Sequence, residues 1–520
     1  MKKPIHQTIT TVRRDYNSLV ASETMEDYAL RFAPRSFRKW SEFDVANTAF
    51  GSSSFLVLEA IGAFLSINYG FTNAFWAIVI VAVVIFITSF PISYYAARYH
   101  IDIDLLTRSA GFGYIGSTIT SLIYASFTFT LFALEASIMS QAIELYFQIS
   151  LERAYVISAI IVIPLVTFGI TTISRLQLWT QPIWLVLLIT PYIAILLEEP
   201  RSLPLLNHFL HLAVHGNEFD WLLFGSAATI AFSMIAQIGE QVDFLRFMPD
   251  QTKENQVKWW IAVIAGGPGW IIFGAIRQLL GALLAHLAIS YGIDSQHAHE
   301  PTQLYLVAYS YVFDNPHWAL AATTLFVILS QIKINVTNAY AGSLAWSNFF
   351  SRLTHSHPGR VAWLFFNVLI ALLLMKFGVF SALEKVLGLF SHMSIAWICT
   401  LAAELAINKS LGLSSRIIEF KRAYLPDLNP VGILSTFFAS AISIAAYCNL
   451  FGDQLKAFSG FVAVFLAFIL TPLIAYFAHG KYNLARNRKK NNSRFKNTCG
   501  ICENVFEHEE MAYCPAYKNN

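Results

Sequence analysis

The feature that most constrains this chain is the recurrence of uncharged, apolar runs of about 18 residues or more, long enough for an α-helix to cross a hydrocarbon core. Buried strands of soluble proteins make shorter runs. Hydrophobic residues make up 56% of the 520-residue chain and charged residues 13%, where a soluble domain carries about 25% charged residues. Twelve spans are read, at roughly 43–67, 72–97, 113–147, 154–173, 179–198, 221–246, 258–289, 316–340, 361–378, 384–407, 430–451 and 457–478. The expected fold class is therefore an all-α integral membrane protein of about twelve helices. Three parts are expected: a polar cytosolic arm over 1–42, a membrane domain over 43–478, and a cytosolic tail over 479–520. The first 40 residues are polar and charged, which argues against a cleavable leader.

Lys and Arg set the orientation, because cytoplasmic loops carry them in excess. With the N-terminus inside, 28 of the 35 fall in the two tails and inner loops, five in outer loops, and Arg277 and Lys333 within spans. Both termini are thus expected in the cytoplasm of a multi-pass cell-membrane protein, a bacterial inner membrane being the expected setting. Residues 292–315 form the longest outer connection.

Ionisable groups within lipid cost about 2.5–3.5 kcal/mol each on insertion scales, so each needs a partner or a function. Those within spans are Glu59, Glu135, Glu240, Arg277, Lys333 and Glu404. The first span carries Gly51-Ser52-Ser53-Ser54, a combination that weakens a helix and frees backbone groups, with Ser52 and Glu59 on one face. The alternative for this segment is a small-residue packing face. The sixth span carries Ser233, Gln237, Glu240 and Gln241 as one polar stripe, and the eighth carries Gln331, Asn335 and Asn338 beside Ser330, Lys333 and Thr337. Amides both donate and accept, which suits the edge of a heterocycle. Glue between helices is the plainer alternative. The third span adds Tyr124, Phe127, Phe129 and Glu135, with rings that could stack on a planar solute or fill the core. Polar clusters in spans one, three, six and eight follow the pattern of an inverted-repeat transporter with a midplane site.

At this point the sequence resembles the nucleobase–cation symporter family, the purine–cytosine permease group. The resemblance is carried by Trp40-Ser-Glu-Phe-Asp44 leading to Gly51, by Leu105-Leu106-Thr107-Arg108-Ser109 with Gly111 to Gly113, by Asp243-Phe244-Leu245-Arg246-Phe247, and by Gln331 to Asn335. It implies a leucine-transporter-type fold of five plus five inverted helices with two added. It also implies cation-coupled transport of a nucleobase, allantoin, a hydantoin or a related vitamin. Carried over, Asn335 would bond the solute, and Phe127 and Met234 would fall near its two stacking positions. From their shared midplane depth and polar stripes, Gln237 and Asn335 are expected to line one cavity with the break at Gly51, Ser52 and Ser53. Ser53, Leu56 and Ser330 would fall at a sodium site. The chain departs from the family at both stacking tryptophans, at Leu329, where a hydroxyl is usual, and at Lys333. A fixed ammonium beside the cation site would repel sodium, so a proton, or no coupling ion, is expected, with Glu59 or Glu135 answering Lys333.

The tail carries seven Lys or Arg over 481–496, then Cys499-Gly-Ile-Cys502, His508 and Cys514. A basic run there should rest on an anionic leaflet. Cys499, Cys502, His508 and Cys514 could hold zinc tetrahedrally or be a remnant of a longer fused protein. The segment resembles one that follows the transporter-like domain of certain bacterial sensor histidine kinases. The expected function is accordingly a secondary active symporter for a small polar solute. The alternative is a transporter-like solute-sensing domain, truncated before its kinase, with a histidine kinase or other signalling partner. The expected partners are the solute and the bilayer. Enzymatic activity, an organic cofactor and nucleic-acid binding are not expected.

Overall fold

The computed structural model describes residues 26, 27, 29, 33, 38–198, 218–354, 356, 358–380, 383–422, 424–482, 496–498 and 505–507. The first span is two half-helices, α1 (Glu42–Gly51) and α2 (Val57–Tyr69), bent by 45°. Ser41 and Asp44 cap α1 reciprocally in a capping box. The break is made locally: the Ser52 and Ser53 hydroxyls donate to the Ala49 and Phe50 carbonyls, each at 2.6 Å, and compete with the helical ladder. Ser52–Ser54 tighten to a 3₁₀ turn and Phe55 is extended, with φ −67° and ψ 134°.

The chain continues through α3 (Phe71–Tyr99), the short α4 (Ile103–Thr107) capped by Asp102, and α5 (Ser117–Phe147). The fourth expected span is the interrupted pair α6 (Leu151–Ile160) and α7 (Val162–Thr167), followed by α8 (Ile170–Glu198). The sixth span is again interrupted: α9 (Trp221–Ala231), a 3₁₀ stretch over Phe232–Gln237, and α10 (Ile238–Leu245). Next come α11 (Gln256–Gly266) and α12 (Trp270–Ser290), joined through Gly267-Pro268-Gly269. The outer connection is not all loop: it folds into α13 (Pro301–Ser310), with proline where a helix start tolerates it. The eighth span is longer than expected, α14 (Pro316–Thr354), because polar residues beyond 340 are buried against other helices. The series ends with α15 (Arg360–Lys376), α16 (Leu383–Ala403), α17 (Pro430–Tyr447), α18 (Asp453–Ala457) and α19 (Ser459–Ala478).

Among the described residues, nine helices are long and apolar enough to cross a membrane, ten with the bent first span counted. The other two expected spans are the interrupted α6–α7 and the 17-residue α15. Of the apolar window of α5, 83% is buried inside the protein, against 22% for α19. The third span is therefore central and the last peripheral. The face of α19 left open carries Phe465, Ile469 and Phe477, a surface that suits lipid. The core contact between α2 and α12 depends on two glycines. A Cβ on Gly62 would meet the Gln278 carbonyl at 1.7 Å, and one on Gly281 the Glu59 carbonyl at 2.3 Å. In the tail, Lys496–Thr498 and Val505–Glu507 pair antiparallel. Cys499, Cys502, His508 and Cys514 lie outside the described residues.

At one end of the bundle the arm is tied down by charge. Arg38 Nη1 lies 2.6 Å from Asp250 Oδ1 and 2.7 Å from His100 Nε2. Burial, helped by the Arg38 charge, lowers the His100 ring from 6.5 to about 4. Burial works against the Asp250 charge, but Arg38 outweighs it and holds that carboxyl at about 2. Both groups therefore bind protons more weakly folded than unfolded. The His100 contribution is complete above pH 6.5 and is lost as pH falls toward 4. We expect the stability of the purified protein to drop across that window. We expect His100→Asn to remove on the order of 3 kcal/mol of the drop, the equivalent of the shift. Thermal unfolding at stepped pH checks this, and equal pH dependence in both proteins would refute it.

Candidate functional site

The break in the first span leaves backbone groups without helical partners, and side chains from α12 and α5 answer them. Arg277 on α12 donates through Nη1 to the Ser53 carbonyl at 2.5 Å. It also forks onto Glu59 on α2, with Nε and Nη2 each 2.8 Å from a carboxylate oxygen. Tyr305 on α13 donates to the same carboxylate at 2.9 Å. On the other side of the break, both oxygens of Glu135 on α5 accept from backbone amides, Leu56 at 3.1 Å and Val57 at 3.2 Å. A carboxylate thus caps the N-terminus of α2, where the helix dipole favours negative charge.

Lys333 on α14 does not pair with Glu59 or Glu135, contrary to the sequence expectation. Its ammonium turns to α8 and donates to Gln177 (2.5 Å), Gln181 (3.0 Å) and Thr180 (3.2 Å). The physical reason is that both carboxylates already have donors closer to the break. Gln177 in turn donates to the Lys333 carbonyl at 2.9 Å and presses on Gly51, where a Cβ would stand 2.2 Å from its oxygen. Gly51 is therefore needed for close approach. Trp184, one turn along α8, donates to the Ser330 hydroxyl at 2.8 Å. Its ring lies 5.5 Å from the Arg277 guanidinium and 5.8 Å from the Lys333 ammonium.

These contacts bear on the expected sodium site at Ser53, Leu56 and Ser330. The Ser53 carbonyl faces a guanidinium and the Ser330 hydroxyl accepts from Trp184. A donor set already met by protein N–H groups, with a fixed charge against it, does not fit a sodium ion. Among the described residues, no group of three or more His, Cys, Asp and Glu could hold a metal.

The remaining predicted residues gather where the interrupted sixth span meets α14. Gln237 donates to Glu240 Oε2 at 3.1 Å, and the Thr337 hydroxyl lies at the same distance from that oxygen. Asn338 donates to Asn335 Oδ1 at 3.3 Å. The Gln241 carboxamide lies 2.7 Å from the Ser52 hydroxyl, and with its amide turned its nitrogen faces the Ala49 and Gly266 carbonyls. Phe127 on α5 and Met234 in the 3₁₀ stretch are buried on two of the elements that bound this region. The cluster keeps unused valences: Ser233 Oγ, Gln237 Oε1, Glu240 Oε1, Asn335 Nδ2 and Asn338 Oδ1 have no hydrogen-bond partner, although none of these side chains is more than 1% exposed. Buried polar groups are normally paired. A set of orphans on two facing helices marks a place where a polar molecule can supply the missing bonds.

Among solved structures the chain is similar to Mhp1, a nucleobase-cation-symport-1 family transporter, in a closed conformation with bromovinylhydantoin bound. The TM-score is 0.63 at 16% identity, covering 89% of this chain and 100% of that one. It is also similar to a substrate-bound, outward-open Na⁺-coupled sialic acid symporter, at TM-score 0.53 and 13% identity over 84% and 90% of the two chains. A third is the manganese transporter of Eremococcus coleocola, at TM-score 0.51 and 12% identity over 84% and 94%. The chain has the fold of these transporters. No protein-family model matches it, and no curated protein does. In this leucine-transporter-type fold the first and the sixth spans are both interrupted beside the gathered polar residues. Sequence reasoning put Glu59, Glu135 and Lys333 in the site but missed Gln177 and Gln181, which bond Lys333, Tyr305, which bonds Glu59, and Trp184, which bonds Ser330. The ion pair that a lone Arg in a span requires is made by Arg277 with Glu59.

Arg277 and Glu59 form a buried pair, and removing one member of such a pair costs about 3–5 kcal/mol because the other is left uncompensated. Arg277→Met should therefore destabilise the protein by that amount, and Arg277→Met with Glu59→Met should recover most of it. Thermal stability in detergent is the measurement. A double variant no more stable than the single would refute the pairing.

Proposed function

We propose that this chain is a secondary active transporter that moves a small polar solute, a nucleobase or related heterocycle, by alternating access. The observation that carries the reading is the enclosed set of unpartnered polar atoms between the interrupted sixth span and α14. Such orphans each cost about 1–3 kcal/mol unless a ligand pairs them. A structural glue between helices would leave fewer of them open. The broken first span adds support, since irregular backbone at membrane depth is tolerated only where it is buried in protein or lines a cavity. The likeness to transporters supports the same reading.

The coupling ion we assign is the proton. Arg277 and Trp184 take up the Ser53 carbonyl and the Ser330 hydroxyl, two oxygens that a sodium ion would need. Lys333 is enclosed by neutral oxygens of Gln177, Thr180 and Gln181. An ammonium held without a carboxylate partner readily gives up its proton. The proton gradient would then act on Lys333 when the site opens.

Uptake of labelled nucleobases and allantoin into proteoliposomes tests this. We expect accumulation driven by an imposed pH gradient and indifferent to sodium. Asn335→Ala should weaken binding by about 1–3 kcal/mol, and Lys333→Met should abolish the response to pH while leaving a folded protein. Sodium-driven uptake in the wild type would overturn proton coupling. Binding without accumulation would overturn transport and favour the sensing role.

A further inference from the structure

We propose that the central site selects a cationic, N–H-rich solute, such as an amidinium or guanidinium heterocycle, through the free oxygen of Glu240, and that Glu135 bars carboxylates from it. This rests on the transport reading and names the chemical class that its site would take.

Glu240 is fully buried at the junction of the 3₁₀ stretch and α10. The side chains that bond it are Gln237 and Thr337, both through Oε2, and both are neutral. Oε1 has no partner. The cations of the neighbouring elements are engaged elsewhere. Arg277 is spent on Glu59 and Ser53, Lys333 on the α8 oxygens, and Arg246 on Asp102 and the Tyr340 hydroxyl. A buried carboxylate is costly without a charge to answer it. Here the missing charge is one that a ligand can bring.

The atoms around Glu240 share this polarity. Gln237 Oε1 and Asn338 Oδ1 are unpaired acceptors, and Asn335 Nδ2 is an unpaired donor. Free acceptors outnumber free donors, so the best-matched solute donates more hydrogen bonds than it accepts. A planar amidinium offers N–H groups in a fork that matches a carboxylate.

The second carboxylate works by exclusion. The N-terminus of α2 would be a ready anion site, but Glu135 already spans the Leu56 and Val57 amides. A solute carboxylate would have to displace a tethered one held at high effective concentration. Gln331 stands beside Glu135 and Thr337 beside Glu240. Six residues of α14 separate them, about 9 Å along the axis, so the two carboxyl groups flank a solute-sized stretch of that helix.

Three probes of similar size separate the outcomes when titrated into the purified full chain at pH 7: 2-aminoimidazole, which is a guanidinium-like cation, neutral hydantoin, and the carboxylate orotate. We expect 2-aminoimidazole to bind at least tenfold more tightly than hydantoin, about 1.4 kcal/mol, and orotate not to compete. Glu240→Gln, of the same shape, should erase the tenfold preference for 2-aminoimidazole over hydantoin. Glu135→Gln should admit orotate. Hydantoin or orotate binding as tightly as 2-aminoimidazole in the wild type would overturn the inference and leave the transport reading standing. A cation preference that survives in folded Glu240→Gln would overturn the role of Glu240. Failure of all three probes to bind the wild type would overturn the heterocycle reading and the inference with it.

Discussion

Unwinding a helix inside a membrane leaves carbonyls and amides that no water can reach, and the architecture around the first span follows from the need to answer them. The Ser53 carbonyl takes Arg277, and the Leu56 and Val57 amides take Glu135. Each answer creates a further demand. A guanidinium brought to one carbonyl needs a carboxylate, which is Glu59, and Glu59 then draws the Tyr305 hydroxyl down from α13. The outer connection becomes a helix that reaches the core because the core has a bond to offer it. For α12 to come close enough to place Arg277, α2 needs Gly62 against its backbone and α12 needs Gly281. One break in one helix thereby fixes the positions of α5, α12 and α13.

The breaks in the first and the sixth spans are not equivalent. The first is completed by protein charges on both sides. The sixth only tightens to 3₁₀ over Phe232–Gln237, so its backbone remains largely self-bonded while its side chains, Ser233, Gln237 and Glu240, keep open valences. The first span supplies rigidity and the sixth supplies the polar surface that a solute would meet. Facing it, α14 serves both. Ser330 and Lys333 point toward α8, whereas Asn335 and Asn338 keep atoms unpaired. Neighbouring stripes at helical spacing let one helix divide these duties.

Much of this is legible in the sequence. The spans are, because apolar runs of helix length have few other solutions in a chain so poor in charge. The break after Gly51 is, because three serines in a row compete with the helical ladder locally. The polar stripes are, because Gln331, Asn335 and Asn338 repeat at helical spacing on a single element. The pairings are not. Arg277 and Glu59 stand 218 residues apart, and Lys333 and Gln177 stand 156 apart. No local period links such residues, and choosing among four acids and two bases needs the packing of α5, α8 and α12. The helix at Pro301–Ser310 is missed for a related reason, since its main bond to the core comes from Tyr305 and not from an apolar face of membrane length.

The fate of the expected cation site shows how one substitution spreads. A carbonyl at the end of a half-helix, a nearby hydroxyl and a gap between the first and eighth spans make a place for a small cation. In this chain the positive charge is covalent. Arg277 stands at the carbonyl, Trp184 occupies the hydroxyl, and Lys333 brings a second ammonium to the other face of the region. An ion that arrives and leaves can report a gradient, whereas a guanidinium locked onto Glu59 cannot, because its pairing persists through any cycle that keeps α2 and α12 together. Of the two fixed cations, Lys333 is the one surrounded by neutral acceptors. Losing its proton leaves Gln177, Gln181 and Thr180 uncharged and free to bond one another or water, whereas neutralising Arg277 would strand a carboxylate. On the proposed reading Lys333 is therefore the group that changes charge.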